Sequence, residues 1–346
     1  MSANYRKLGE IVELTDERNK ALESSEVLGI SIDKEFMPSV ANTIGTDLSN
    51  YKLLRMNTFA CNPMHVGRDE RLPVSLYKKD IPAIVSPAYF MFRVKDENKV
   101  LPDFLMLIFK RNDFDRNCWF RTDGSVRGGI TWNDICEIEF PVPDLKEQEK
   151  IVNTYNSITK RIQLKQKINE NLEKTAQCLF EETIKQKEKN SKLKDIAEIN
   201  SGKRPEEMAL GKFPLVGAGD IMGYISNFNY DGKTLVIGRV GTHGKVQRFN
   251  EKCWCSDNTL TIKSKLYEYT YFILKNINYS LLNRGSTQPL ITQTDIKDFD
   301  IYYSEKDIKD FEDAASKLMN VYNINNIEIK KLQELKQLVI SSISGI

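Results

Sequence analysis

The chain writes the same punctuation twice. Residues 124–135 read GSVRGGITWNDI and residues 285–296 read GSTQPLITQTDI, and each runs directly into a charged stretch with helical spacing. The openings repeat as well. Lys7-Leu8-Gly9-Glu10-Ile11 returns as Lys192-Leu193-Lys194-Asp195-Ile196, at an offset of 185, whereas Ile130-Thr131 returns as Ile291-Thr292 at an offset of 161. The first copy is therefore 24 residues longer between its edges. A repeat of this length restricts the fold to two related lobes about a pseudo-twofold, whose edges agree and whose middles differ.

The segment after each closing signal sets the second constraint. Residues 144–186 contain neither Pro nor Gly, and acidic residues cluster behind Pro143, as at a helix start. Apolar residues recur at Ile151, Tyr155, Ile158, Ile162, Leu172, Ala176 and Leu179, the spacing of a coiled-coil stripe. The C-terminal segment offers Phe311, Ala315, Leu318, Tyr322, Ile329, Leu332 and Val339, and both stripes break at a polar residue, Lys165 and Asn325, 160 positions apart. A helix of this length spans roughly 60 Å at ~1.5 Å per residue, more than one lobe can cover. The pattern predicts an antiparallel pair of long helices separating two lobes; the plainer alternative has each helix covering its own lobe. Within the lobes, 235–249 reads as a β-hairpin, and Leu101–Phe109 and Tyr267–Ile277 as short helices.

Composition narrows the class. The N-terminus has no apolar leader, and the longest apolar run, Phe104–Phe109, is far too short to span a bilayer. Six scattered cysteines fit no zinc spacing, so a reduced, cytoplasmic protein is expected. The two histidines, His65 and His243, fall in different lobes, and the glycine-rich stretches 219–223 and 238–244 match neither a P-loop nor a dinucleotide fingerprint. No Asp/Asn-Pro-Pro-Tyr/Phe tetrad of an amino-methyltransferase occurs. The expected class is binding, with no metal site and no catalytic residue.

Turns in both lobes mix cations with amides and hydroxyls suited to base edges and phosphates. The candidates are Arg55, His65, Arg68, Arg71, Arg121 and Arg127 in the first lobe. In the second they are Lys203, Arg204, Arg239, Thr242, His243, Lys245, Gln247, Arg248, Arg284, Ser286, Thr287 and Gln288. The net charge of +2 neither demands nor forbids nucleic acid.

Gly285-Ser286-Thr287-Gln288-Pro289 before Ile291-Thr292, Phe140-Pro141-Val142-Pro143-Asp144-Leu145 with Glu147-Gln148, and Leu235–Gly241 together resemble the specificity subunit of Type I restriction–modification systems, over essentially the whole chain. The first copy departs at Arg127-Gly128-Gly129, which lacks Thr-Gln-Pro, and the second helix lacks the Pro-x-Pro entry. The resemblance implies an α+β fold: two mixed α/β target recognition domains, residues 1–142 and 191–301, separated by long antiparallel coiled-coil helices at 143–190 and 302–346. It further implies binding to double-stranded DNA at a bipartite, gapped sequence, with two methyltransferase subunits docked on the helices and restriction subunits joining them. S-adenosylmethionine, ATP and magnesium would belong to those partners, leaving this chain without a cofactor. Two rival readings are a coiled-coil scaffold with two protein-binding lobes and a degenerate methyltransferase.

Overall fold

The computed structural model describes residues 4–40, 45–64, 66–122, 128–240, 244–282 and 290–343. The chain divides into two compact units, residues 1–164 with 329–346, and residues 165–328. Each lobe is thus joined in its unit by a stretch of both long helices.

The first unit runs β1 (Tyr5–Lys7), α1 (Leu8–Ile11), β2 (Val12–Thr15), β3 (Val27–Ile30), β4 (Phe36–Pro38), β5 (Lys52–Leu54), β6 (Phe59–Cys61), α2 (Val66–Asp69), β7 (Val74–Leu76), β8 (Ala83–Val85) and β9 (Phe90–Val94). Helices α3 (Pro102–Phe109), α4 (Asn112–Phe120) and α5 (Trp132–Cys136), strand β10 (Glu139–Pro141) and the 40-residue helix α6 (Leu145–Ile184) come next. Its main sheet is antiparallel, in the order β2-β9-β6-β7, beside a smaller sheet ordered β4-β3-β8-β5. Alternation across the main sheet serves two cores. Phe59, Cys61, Phe92 and Val94 face the helices, while Ala60 and Met91 face the small sheet and meet Leu28, Ile30 and Val85. Burial on both faces explains why these strands read as apolar runs rather than as alternating patterns.

The second unit repeats the plan. Its elements are β11 (Ser191–Lys192), β12 (Ala197–Ser201), β13 (Leu210–Val216), β14 (Ile221–Ile225), β15 (Thr234–Gly238), β16 (Val246–Phe249), β17 (Trp254–Cys255) and β18 (Thr259–Ser264). Then come α7 (Tyr267–Asn276), α8 (Gln293–Lys297), β19 (Asp300–Ile301) and the 38-residue helix α9 (Glu305–Ser342). The main sheet is ordered β12-β18-β15-β16 and the small one β14-β13-β17. Strand for strand this is the first unit's order. The small sheets agree too, since β13 pairs antiparallel with β14 and parallel with β17, as β3 does with β4 and β8. Part of the first copy's extra length is β5, for which residues 226–233 supply no strand.

The repeated punctuation has a direct structural cause. Thr131 and Thr292 are the N-caps of α5 and α8, each accepting a hydrogen bond from the backbone N–H of the Asp three residues on, Asp134 or Asp295, at 3.2 Å. The flanking Ile130, Ile135, Ile291 and Ile296 are buried. The chain then forms β10 or β19, which pairs antiparallel with the opening strand, β1 or β11, and so closes the lobe before the long helix starts.

Within each unit the long helices lie antiparallel. In the first, Ile158 and Ile162 of α6 pack with Ile329, Leu332 and Val339 of α9, while Ile151 and Tyr155 join Ile340 in the lobe core. In the second, Phe180 and Ala176 share a core with Phe311, Ala315 and Met319, the rings of Phe180 and Phe311 5.9 Å apart. One seam assignment needs correction: Leu179 is 38% exposed, with Phe180 taking its place. Leu318 is half-buried and packs against this core beside a fully buried Met319, and Leu172 is half-buried. A straight helix at 3.6 residues per turn drifts against a strict seven-residue repeat, so four-residue steps (176 to 180; 311, 315, 319) carry the stripe to the neighbouring position.

The matched polar interruptions meet each other. Lys165 Nζ donates to Asn325 Oδ1 at 2.9 Å and pairs with Glu328 at 2.7 Å. Asn325 donates to Asn169 Oδ1, and Asn169 donates to Asn326 Oδ1, both at 2.9 Å. Asn169 and Asn325 are buried and satisfied, a polar layer of the kind that sets the register of a helix pair.

Candidate nucleic-acid interface

In each unit the long helices carry the short helix beneath the main sheet. Buried Gln148 of α6 accepts the backbone N–H of Leu101, the N-cap of α3, at 2.9 Å and donates to the Lys99 carbonyl. In the second unit, Glu312 of α9 accepts the N–H groups of Glu268 and Tyr269 at the start of α7, and Glu173 of α6 accepts from Tyr271 and Lys275. Burial raises the Glu312 pKa above the usual carboxylate value, while those two N–H bonds favour its charged form. These contacts orient the sheet, and through it the loops at one end of its strands.

At that end of the second unit five segments are tied together. Gly202 donates to the Thr259 carbonyl, Lys203 N–H to Cys255, Ser256 to Val216, Arg239 N–H to Asn258 at 2.8 Å, and Ile291 to the Arg239 carbonyl at 3.0 Å. A Cβ on Gly202 would lie 2.1 Å from the Ser256 carbonyl oxygen, so only glycine allows this close crossing. The crossing brings Lys203, Arg204, Arg239 and Lys245 to one loop cluster. Lys203 and Arg204 are exposed, and Lys245 pairs loosely with Asp220 at 3.4 Å. Among the described residues no carboxylate pairs with Arg204 or Arg239.

Two candidates of this set lie elsewhere. Gln247 is buried, donating to the Gly217 carbonyl at 2.8 Å. Arg248 makes a bidentate pair with Glu268 at 2.6 and 2.8 Å, its guanidinium 4.4 Å from the Tyr271 ring centre, and both side chains are under 10% exposed. Both are scaffold: consecutive strand residues point to opposite faces, and both faces of this sheet are covered, by the small sheet at Gln247 and by α7 at Arg248. Glu268 carried a usable signal: an acid inside the run Tyr267–Leu274, otherwise nearly all aromatic or aliphatic, must have a buried partner.

The corresponding end of the first unit is built alike. Ile130 N–H donates to the Pro63 carbonyl at 3.1 Å, as Ile291 does to Arg239, and Gly67 donates to Gly128. Its cations are engaged differently. Arg68 pairs with neighbouring Asp69, Arg71 with Asp33 at 3.4 Å, and Arg55, on the β5–β6 connection, with Glu17 and Glu23. Arg121, at the C-cap of α4, is exposed without an ion pair among the described residues. His65, Arg127, Thr242, His243, Arg284, Ser286, Thr287 and Gln288 lie outside the described residues. Sequence reasoning missed a buried pair here. Lys34 of the β3–β4 turn, at φ +65°, donates to Asp115 of α4 at 2.7 Å and to the Leu72 carbonyl. Burial lowers the Lys34 pKa.

Among the described residues no cluster of three side chains could hold a metal ion, and no helix is long and apolar enough to cross a membrane. A family model described as Type I restriction modification DNA specificity domain matches residues 3–174 and 185–337. The type I restriction enzyme HindI specificity subunit of Haemophilus influenzae is 30% identical over 105 residues, covering 29% of this chain and 22% of that protein. The match thus spans about a fifth of that relative's length. The crystal structure of a type I restriction–modification S subunit from M. genitalium superposes with a TM-score of 0.64 at 15% identity, over 99% of this chain and 96% of that one, a likeness of fold. A match to the HsdS subunit from Thermoanaerobacter tengcongensis, over 99% and 96% of the two chains, reaches a TM-score of only 0.40 at 14% identity and carries no weight.

Proposed function

Because the chain belongs to the Type I restriction modification DNA specificity domain family, we propose that it is the sequence-reading, non-catalytic subunit of such a system. The loop end of each unit reads one half of a bipartite, gapped sequence in double-stranded DNA. The long helices set the gap and dock two methyltransferase subunits, which restriction subunits join. S-adenosylmethionine, ATP and magnesium act in those partners, and the chain works in the cytoplasm without a cofactor of its own.

The observation that carries this reading is the pairing of one scaffold with two unlike loop ends. The same strand order and the same backbone link from Ile130 or Ile291 present Pro63 in one unit and Arg239 in the other. Reader modules need shared scaffolding and divergent contact residues, since phosphate contacts position a protein while base contacts specify.

The test is methylation mapping in a host lacking other modification systems, with this chain co-expressed beside its neighbouring methyltransferase gene. Adenine methylation at one bipartite motif, dependent on this chain, is expected. Exchanging residues 1–142 for the first lobe of another family member should change one half-site alone; a change in both would refute two independent modules. The scaffold reading predicts no DNA affinity that falls with salt, whereas a reader loses log affinity against log salt with a slope near −0.9 per phosphate contact.

A further inference from the structure

Resting on that reading, we infer that Arg239 is the principal base-reading residue of the second unit, and that it reads a guanine in the major groove. Three observations converge on it. Its backbone is held on both sides, the N–H bonded to Asn258 and the carbonyl accepting from Ile291, so the side chain leaves from a fixed point at the end of the central strand β15. Its guanidinium Nε is buried without a hydrogen-bond partner, while among the described residues no acid neutralises the group and its Nη donors stay uncommitted. Arg248 also leaves its Nε unbonded, but both of its Nη groups are taken by Glu268, which removes it from competition.

A planar donor fork on a rigid stem is the arrangement that matches the O6 and N7 acceptors of guanine, and a preset stem loses little freedom on binding. Lys203 and Arg204, exposed on the neighbouring loop, then contact phosphates and carry no sequence information. The first unit places Pro63 at the equivalent point, with no side-chain donor, so its half-site is read from other positions.

The experiment compares wild type, Arg239→Ala, Arg239→Gln and Arg204→Ala in the co-expressed methyltransferase complex. It uses methylation maps and binding to a panel of duplexes varied one base pair at a time. Wild type should discriminate at a G·C pair in one half-site on the order of 10- to 100-fold. Arg239→Ala should abolish discrimination at that pair and leave the other half-site unchanged. Arg239→Gln should shift the preference there toward adenine, and Arg204→Ala should weaken binding to every duplex alike. If Arg239→Ala blocks methylation, the duplex panel decides alone. Should that variant fail to assemble, Arg239→Gln decides, and a retained G preference refutes the inference. Unchanged discrimination in either Arg239 variant refutes the inference with the proposed function intact. A wild-type complex that methylates no bipartite motif refutes the proposed function itself.

Discussion

Arg55, Arg68 and Arg71 in the first unit each sit against a carboxylate, whereas Arg204 and Arg239 in the second have none among the described residues. The two loop ends hang on the same strand order, so the difference is not architectural. Arginines already paired must exchange a protein carboxylate for a DNA phosphate, which moderates their gain on binding; unpaired ones need no exchange. The units differ inside as well. Among the described residues each has one ion pair with both partners buried, Lys34–Asp115 in the first and Arg248–Glu268 in the second. Lysine can release its proton when its partner is lost and arginine cannot, so equal burial does not mean equal fragility.

The largest effect should come from breaking these pairs. Glu268→Ala leaves a buried guanidinium charge and should cost about 3–5 kcal/mol, read by urea denaturation with hydrogen exchange resolving each unit. Asp115→Asn in the first unit should cost clearly less, because Lys34 can become neutral; equal losses would remove the distinction drawn between them. The seam comes next. Ile158→Asp, at a position 8% exposed, should lose about 3 kcal/mol, and Leu318→Asp, half-buried, about 1 kcal/mol. Similar losses at the two sites would mean that burial does not grade the seam.

Alkali should separate the units. Burial raises the pKa values of Tyr267, Tyr269, Tyr271 and Tyr279 in the second unit, Tyr271 further through Glu173, well beyond the ordinary value of 10.0. An acid with a raised folded-state pKa keeps its proton in the native state. Stability is therefore intact below pH 10 and falls as pH climbs toward the folded values, by up to ~1.4 kcal/mol per pH unit for each tyrosine. In the first unit burial raises Tyr77 and Tyr89 and the Cys61 and Cys118 thiols, so both units should lose exchange protection in alkali, the second more steeply above pH 10 through its four strongly raised tyrosines; equal steepness there would remove the distinction. The smallest effects belong to the exposed cations. Arg204→Ala should reduce the salt slope of DNA binding by about one, while Arg55→Ala should leave it unchanged. A slope that falls in both would mean that carboxylate pairing does not withhold an arginine from DNA.

Local patterns were legible in the sequence. Ile-Thr-x-x-Asp-Ile is a helix cap flanked by two core anchors, needing only neighbours in the chain, and it forms at both places where it is written. The long helices were equally clear, since proline-free, glycine-free stretches with an apolar stripe have one economical conformation. Lys165 and Asn325 could be matched as interruptions 160 residues apart, and the structure made them partners. Sequence could not decide the direction of individual side chains. Whether Leu179 or Phe180 enters the seam depends on a drift of a fraction of a turn accumulated along the helix. Whether Arg248 turns into the core depends on which face of its strand it occupies, and one residue of register exchanges the two faces of a sheet. Arginine in a hairpin reads the same in sequence whether it meets a carboxylate or open water. Only the fold brought Glu268 beneath Arg248 and left Arg239 unpaired, because those contacts join residues distant along the chain.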